Sequence, residues 1–309
     1  MRKIYLLLAF FFFLKEINAQ QLHFTSQYLQ HNAMYNPAAA GITGTTMIGV
    51  SYRSMWSSFP GNPRTFMIYG DTRWEKMNSG VAAYIYRDVT GPTSRTGVQV
   101  ALSYHVKTGE NSTLGLGLEV RGLQYAIDIA KLTDALGSDA VLSGSSGKFI
   151  LDAGAGAYFT NGKLSVGAAV SQLLESKLKF AEVTNATERA KLYRQYNFTA
   201  NYNIETGDNI KLIPNCMLTL VEHAPVEFDF GCKVDYKDKI WWGINWRIRQ
   251  FWSLQVGFKI LNKVGLAYSY DYYSSPFSDY NTGNNAHEIG LRFDLSHKNK
   301  KQEAPKKAP

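Results

Sequence analysis

The chain has 309 residues, of which 45% are hydrophobic and 14% aromatic, and its formal charge is +8. Most of that charge lies at the ends, because residues 1–19 carry +2 and residues 296–309 carry +4. The remaining +2 leaves no basic stripe that could follow phosphates, so the composition argues against a nucleic-acid-binding protein.

Residues 1–19 predict a secretory signal peptide. Two basic residues precede an apolar run over residues 4–14, and the small residue Ala19 ends a typical cleavage site. Cleavage there would leave Gln20 as the first residue of the exported chain. No later apolar run is long enough for a transmembrane helix, so we expect any membrane insertion to use a barrel.

Residues 20–45, the N-terminal segment, are too irregular in sequence for a strand. Asn36-Pro37 predicts a turn, because both residue types favour turn conformations. We therefore expect an ordered periplasmic or plug segment that packs under or inside a barrel.

The rest of the chain shows strand periodicity, most clearly between residues 238 and 271. Ile and Trp alternate with Gly, Asn and Arg over residues 240–248, and the same period of two recurs over 252–260 and 264–271. This period is typical of strands with two chemically different faces. The connections are very short, so consecutive strands should pair antiparallel. Strands of about ten residues can cross a bilayer at a tilt.

Fourteen strand-like segments are predicted from Thr46 onward. They lie near residues 46–53, 64–73, 79–87, 95–107, 112–125, 149–160, 163–173, 190–204, 209–220, 225–236, 239–249, 251–261, 263–272 and 285–295. Short turns alternate with longer loops at 54–63, 88–94, 126–148, 174–189 and 273–284, which is the pattern of an outer-membrane barrel.

The predicted fold is therefore all-β, a transmembrane antiparallel β-barrel of about 14 strands over residues 46–295. An even strand number places both termini in the periplasm. Residues 296–309 are expected to form a disordered, Lys-rich periplasmic tail.

A secreted β-sandwich is the competing fold. The polar faces favour the barrel, because they mix small residues with charges of both signs, as a lumen can. The predicted lumen carries Glu119, Arg121, Glu227, Asp229, Lys233, Arg247, Arg249, Lys259, Asp271, Glu288, Arg292 and Asp294. These charges fit either a braced, filled barrel or a pore.

The sequence gives no sign of an enzyme, a metal site or a bound cofactor. The six histidines lack paired metal-ligand spacing, and residues 144–147 lack the Gly-x-Ser-x-Gly of a nucleophile elbow. Cys216 and Cys232, on predicted neighbouring strands, could form a disulfide or stay as two small apolar residues.

Several motifs together resemble the PorP/SprF family. The N-terminal ones are Phe24-x-Ser26-Gln27-Tyr28 and Tyr35-Asn36-Pro37-Ala38-x-Ala40-Gly41. The others are Tyr52-Arg53-x-x-Trp56, Asp71, Asp88-x-x-Gly91 and His287-Glu288-Ile289-x-Leu291-x-Phe293. The resemblance covers essentially the whole exported chain, apart from the tail that follows the last strand.

The resemblance implies an outer-membrane barrel of the Bacteroidota, linked to type IX secretion and gliding motility. It implies a role in exporting or anchoring a secreted surface adhesin with a type IX C-terminal sorting domain, and contact with other components of that machinery. Candidate partner or structural residues are Asn36, Pro37, Gly41, Tyr52, Arg53, Trp56, Asp71, His287 and Glu288.

Two further expectations concern function and local structure. A passive diffusion channel remains the alternative to an anchoring barrel. Tyr52, Arg53 and Trp56 could form a bracing cluster with the Asn36-Pro37 turn, or could merely supply aromatic-belt and lumen residues. His287 is predicted on the lipid face near the external rim.

Overall fold

A computed structural model describes residues 24–57, 59–131, 147–178, 190–207, 209–261, 263–274 and 285–295. The predicted signal peptide, most of the three longest loops and the Lys-rich tail lie outside these residues. Within the described part of the chain, no helix has the length and apolar character needed to span a membrane.

The described strands, in chain order, have the following bounds. They are β1 (Met47–Met55), β2 (Arg64–Trp74), β3 (Ser79–Thr90), β4 (Thr93–Lys107), β5 (Thr113–Ile127), β6 (Gly147–Thr160), β7 (Leu164–Ser171), β8 (Lys177–Leu178), β9 (Ala190–Lys191), β10 (Gln195–Tyr202), β11 (Ile204–Thr206), β12 (Ile210–Val221), β13 (Glu227–Tyr236), β14 (Ile240–Arg247), β15 (Phe251–Ile260), β16 (Val264–Tyr273) and β17 (Ala286–Asp294).

Fourteen of the described strands form one closed antiparallel barrel, which confirms the predicted fold. The first strand closes on the last, with Met47 opposite Asp294, and β10 pairs with β12. β11 continues the line of β10 along β12, so the predicted strand 190–204 is interrupted. β8 and β9 pair in a separate two-stranded antiparallel sheet.

The two ends of the barrel differ. At the turn end, short connections join the strands; one places Lys237 and Asp238 at positive φ, the conformation of a type I′ hairpin turn. At the loop end lie the connection over residues 56–63 and the strand ends that flank residues 132–146 and 275–284.

Apolar side chains cover the outside of the barrel. Trp242, Trp252 and Phe258 are each more than two-fifths exposed, whereas Asn245 and Arg247 between them are buried in the lumen. The prediction for Arg249 was wrong. The strand ladder stops at Arg247, and Arg249 lies exposed in a turn with φ +64.

Cys216 and Cys232 are both free thiols, half-buried on neighbouring strands. Cys216 lies opposite Phe230, and Cys232 lies opposite Pro214, so the two are offset along the strands rather than directly paired. Of the two alternatives, a disulfide or two small apolar residues, the structure therefore favours two unbonded cysteines.

The N-terminal segment runs through the lumen from the loop end to the turn end. It contains a short α-helix, α1 (Asn32–Tyr35), between 3-10 turns at Tyr28–Gln30 and Pro37–Ala39. Phe24 contacts Phe251, the first residue of β15, whereas Gly41 lies beside Asp71 near the end of β2. The Leu295 N–H donates to the Thr46 carbonyl at the turn end. The barrel itself therefore begins and ends on the same side, as an even strand number requires, but the N-terminal segment before Thr46 leads away to the loop end.

Candidate functional site

The lumen is the part of the barrel where polar and charged side chains converge on the N-terminal segment. Among the described residues, twelve of the fourteen barrel strands make a hydrogen bond to this segment. We therefore describe the site along the segment, starting at the loop end.

Arg53 joins the first and last strands of the barrel to the N-terminal segment. Its guanidinium lies 2.6 Å from Asp271 and 3.2 Å from Glu288, and it donates a hydrogen bond of 2.9 Å to Ser26 Oγ. Glu288 in turn accepts hydrogen bonds from the Ser26 backbone N–H and the Thr25 hydroxyl. Because all these groups are buried, each charge depends on its partners.

Phe24 lies between two guanidinium groups at the loop end. The Arg247 guanidinium is 3.5 Å from the centre of the Phe24 ring, and that of Arg53 is 5.0 Å away. Asp229 accepts a hydrogen bond of 2.9 Å from Arg247 Nε, which neutralises the cation from behind. A cation over an aromatic face in a desolvated site contributes about 2 kcal/mol.

Tyr28 crosses the middle of the lumen to the opposite wall. Its hydroxyl donates to Asn215 Oδ1 at 2.5 Å and accepts from Asn245 Nδ2 at 3.3 Å. Burial raises the pKa of the Tyr28 phenol. The hydroxyl is thus both donor and acceptor, as a buried phenol requires.

A second buried ion pair binds α1. Arg121 Nε donates to Glu119 at 2.7 Å, while Arg121 Nη2 donates to the Met34 carbonyl at 3.0 Å. Gln99 also donates to Glu119, at 2.5 Å, and to the Met34 carbonyl. The free carbonyls at the end of this short helix are therefore satisfied by side chains of β4 and β5.

Asn36 holds the segment against β6 and β7. Its side-chain oxygen accepts the Ala38 N–H and so caps the turn Pro37–Ala39, as the predicted Asn36-Pro37 turn would require. Its Nδ2 donates to the Ala157 carbonyl at 2.9 Å. Pro37 and Ala38 pack onto glycines of β5, and a Cβ on Gly117 would overlap the Ala38 backbone; Gly156 of β6 lies against Asn36 itself.

At the turn end, the segment is held through its backbone. The Gly41 N–H donates to Asp71 Oδ1 at 2.5 Å, and the Ala40 carbonyl accepts from the Ser103 hydroxyl at 2.6 Å. Gly41 has φ +64, and a Cβ there would strike the Thr72 carbonyl. Glycine therefore meets both a conformational and a steric requirement at this position.

His31 is buried at the centre of the lumen. Its ring packs edge-on against Tyr69, with ring centres 4.5 Å apart. Burial, assisted by the charge of Arg292, lowers the pKa of His31 to about 3. The imidazole is therefore neutral in the packed segment.

A cavity of about 350 Å³ opens at the loop end beside Phe24. Aromatic rings of Trp56, Phe251 and Tyr273 line one side, and polar side chains that include Arg95 line the other. Trp56 has φ +50, a strained backbone conformation for a bulky residue. Within the described residues, no cluster of side chains suited to a metal ion is present.

The structure places the nine candidate residues in three different surroundings. Six of them bind or form the N-terminal segment inside the lumen: Asn36, Pro37, Gly41, Arg53, Asp71 and Glu288. Trp56 lines the cavity at the loop end, and Tyr52 and His287 face outward.

The predicted cluster of Tyr52, Arg53 and Trp56 around the Asn36-Pro37 turn does not form. Asn36 binds β6 and β7, whereas Arg53 lies on β1 and contacts Ser26 instead. Tyr52 points out of the barrel because it alternates with Arg53 along the strand. His287 faces outward as predicted, with its Nδ1 2.7 Å from the Tyr268 hydroxyl.

Sequence reasoning missed how several of these residues work together. Asp271, Asp229 and Arg247 were predicted in the lumen but were not linked to the N-terminal segment. Ser26 lies within the motif Phe24-x-Ser26-Gln27-Tyr28, and its place in that motif was its only signal. Phe24 begins the same motif, but an aromatic residue in a motif does not by itself indicate contacts with two arginines.

Residues 17–293 match the family described as "Type IX secretion system membrane protein PorP/SprF". The chain belongs to the PorP/SprF family. This outer-membrane barrel therefore carries its family motifs on both partners of the lumen contacts, since Ser26 comes from the N-terminal motif and Glu288 from the last strand.

This PorP/SprF protein is similar to several solved structures. The CymD monoaromatic hydrocarbon channel is 11% identical, with a TM-score of 0.51, over 89% of this chain and 94% of that one. A Pseudomonas aeruginosa FadL homologue is 12% identical, with a TM-score of 0.49, over 85% and 94% of the two chains. The Acinetobacter baumannii protein Omp33 is 10% identical, with a TM-score of 0.48, over 81% and 98%. No curated protein matches the sequence.

Proposed function

We propose that this PorP/SprF barrel is a non-enzymatic accessory of type IX secretion that anchors, or helps to export, a secreted surface adhesin of the gliding-motility type. The main support for the proposal is that the N-terminal segment occupies the lumen and is hydrogen-bonded to nearly every side of the wall. A barrel filled in this way offers surfaces for binding rather than a path for solutes.

The filled lumen argues against the alternative, a passive diffusion channel. Such a channel needs a wet path between the two ends, whereas residues 33–41 are all buried. Opening a path would require the segment to leave, and Glu288 would then lose the hydrogen bonds that it accepts from Thr25 and Ser26. A hydrogen bond to a charged group contributes about 1.5–3 kcal/mol, so the segment is not a loosely held gate.

The proposed partners follow from the two ends of the barrel and its outer wall. The loop end faces the cell surface, where a secreted protein with a type IX C-terminal sorting domain binds. The turn end, with the Lys-rich tail after Leu295, faces the periplasm and the secretion machinery. Outer-membrane lipid covers the apolar wall, and no nucleic acid is a partner.

Affinity purification from native membranes tests the proposal, using a tag after Pro309. A surface protein with a sorting domain, identified by mass spectrometry, should co-purify. Cells that lack the barrel should lose that same protein from their surface. Repeated recovery of the barrel alone, with normal surface display in its absence, contradicts the anchoring role.

A matched pair of variants locates the contact. Trp56→Ala removes an aromatic wall of the loop-end cavity, whereas Trp74→Ala removes an exposed tryptophan at the turn end. The first should reduce recovery of the partner, and the second should leave it unchanged.

A further inference from the structure

The N-terminal segment enters the lumen at the end opposite to the chain's other described end. Phe24 packs against Phe251 and lines the loop-end cavity, whereas the Leu295 N–H donates to the Thr46 carbonyl at the turn end. The first and last described residues therefore lie at opposite mouths of the barrel.

The direction of the segment is fixed by contacts along its length. Ser26 binds Asp271 near the loop end, Met34 binds Arg121 at mid-height, and Gly41 binds Asp71 near the turn end. The chain thus crosses the lumen once, and in one direction, before β1 begins.

The residues before Phe24 cannot return to the turn end. If the signal peptide is removed after Ala19, four residues precede Phe24, and fully extended they reach about 14 Å. The apolar band of an outer-membrane barrel is about 25 Å tall. The lumen beside Phe24 is also occupied by the segment itself and by Arg247, 3.5 Å from the Phe24 ring.

We infer that the amino terminus of the exported protein lies at the loop-end mouth, at the opposite end of the barrel from Leu295, the last described residue. The first residues of the mature chain then belong to the same surface as the loops around Trp56. This inference concerns topology, so it stands or falls independently of the proposed partner.

Cysteine labelling on intact cells tests the inference in a Cys216→Ser, Cys232→Ser background. Leu22→Cys and Ser296→Cys report on the two ends of the chain. Pro60→Cys and Glu110→Cys, at exposed positions of a loop-end and a turn-end connection, serve as markers. With a membrane-impermeant maleimide, Leu22→Cys should label together with Pro60→Cys, and Ser296→Cys together with Glu110→Cys.

Spin-label distances in the purified barrel give a second reading that does not depend on reagent access. The label at position 22 should lie closer to position 60 than to position 110. A label at position 22 that is closer to position 110, or that reacts from the same side as position 296, overturns the inference.

Discussion

Arg53 and Asp271 lie 2.6 Å apart, although a whole strand, β17, separates the strands that carry them. Arg53 also reaches Glu288 on that intervening strand. The contact therefore ties together three strands at the seam where the first strand closes on the last. It is also the point at which Ser26 binds, so closure of the barrel and retention of the N-terminal segment share one set of charges.

Replacing Arg53 should loosen the N-terminal segment while the barrel stays folded. Arg53→Ala leaves two buried carboxylates without their cation, which costs on the order of 3 kcal/mol. Limited proteolysis of the solubilised protein should then cleave near residues 24–30 many times faster than in the wild type. Arg87→Ala, which removes an exposed arginine of β3, is the control and should leave the rate unchanged. Equal protease resistance in the Arg53 and Arg87 variants would count against the role of Arg53.

Adding one methyl group at Gly117 should push the segment away from β5. A Cβ there would overlap the backbone of Pro37 and Ala38, and such overpacking costs about 1–3 kcal/mol. Gly265→Ala is a matched control on β16, because the nearest atom to its new Cβ is 3.8 Å away. The melting temperature should fall for Gly117→Ala only. An equal fall in both variants would show that any inward methyl group disturbs the strands.

Acid should release the segment through His31. The pKa of His31 is lowered to about 3 by burial, whereas a released histidine titrates near 6.5. The packing energy that depends on neutral His31 is thus fully present above pH 6.5 and is lost as the pH falls towards 3. At pH 5 the loss is about 2 kcal/mol.

Proteolysis of the segment at a series of pH values measures this effect. The wild type should become more sensitive between pH 6.5 and pH 5, and His31→Phe, which keeps an aromatic ring against Tyr69, should be less affected. Identical pH profiles for the two proteins would exclude His31 as the cause.

Local patterns in the sequence predicted the barrel because each strand has one apolar face, and a shift of one residue would reverse both faces. Alternation does not, however, predict the residue at which a strand ends. The alternation of Arg247 and Arg249 continues through the sequence, but the strand ends at Arg247 and Arg249 itself adopts a left-handed turn conformation. The same limit explains the break between β10 and β11.

The site was predictable only as a set of inward charges. The partners of Arg53 lie 218 and 235 residues away in sequence, and they meet only because the barrel closes. The contact of Asn36 with β6 and β7 depends equally on the path of the segment through the lumen. Local sequence patterns predict neither contact. Alternation indicates whether a side chain points inward or outward, but not which residue it meets across the barrel.

The most direct test of the account is the conductance of the purified wild-type barrel in planar lipid bilayers. With the N-terminal segment held by Arg53, Asn36 and Gly41, the account predicts no stable open channel at either polarity. The double variant Arg53→Ala, Gly117→Ala, prepared in the same way, should show channel openings as the segment leaves. A large, steady conductance from the wild-type protein would contradict the claim that the lumen is filled.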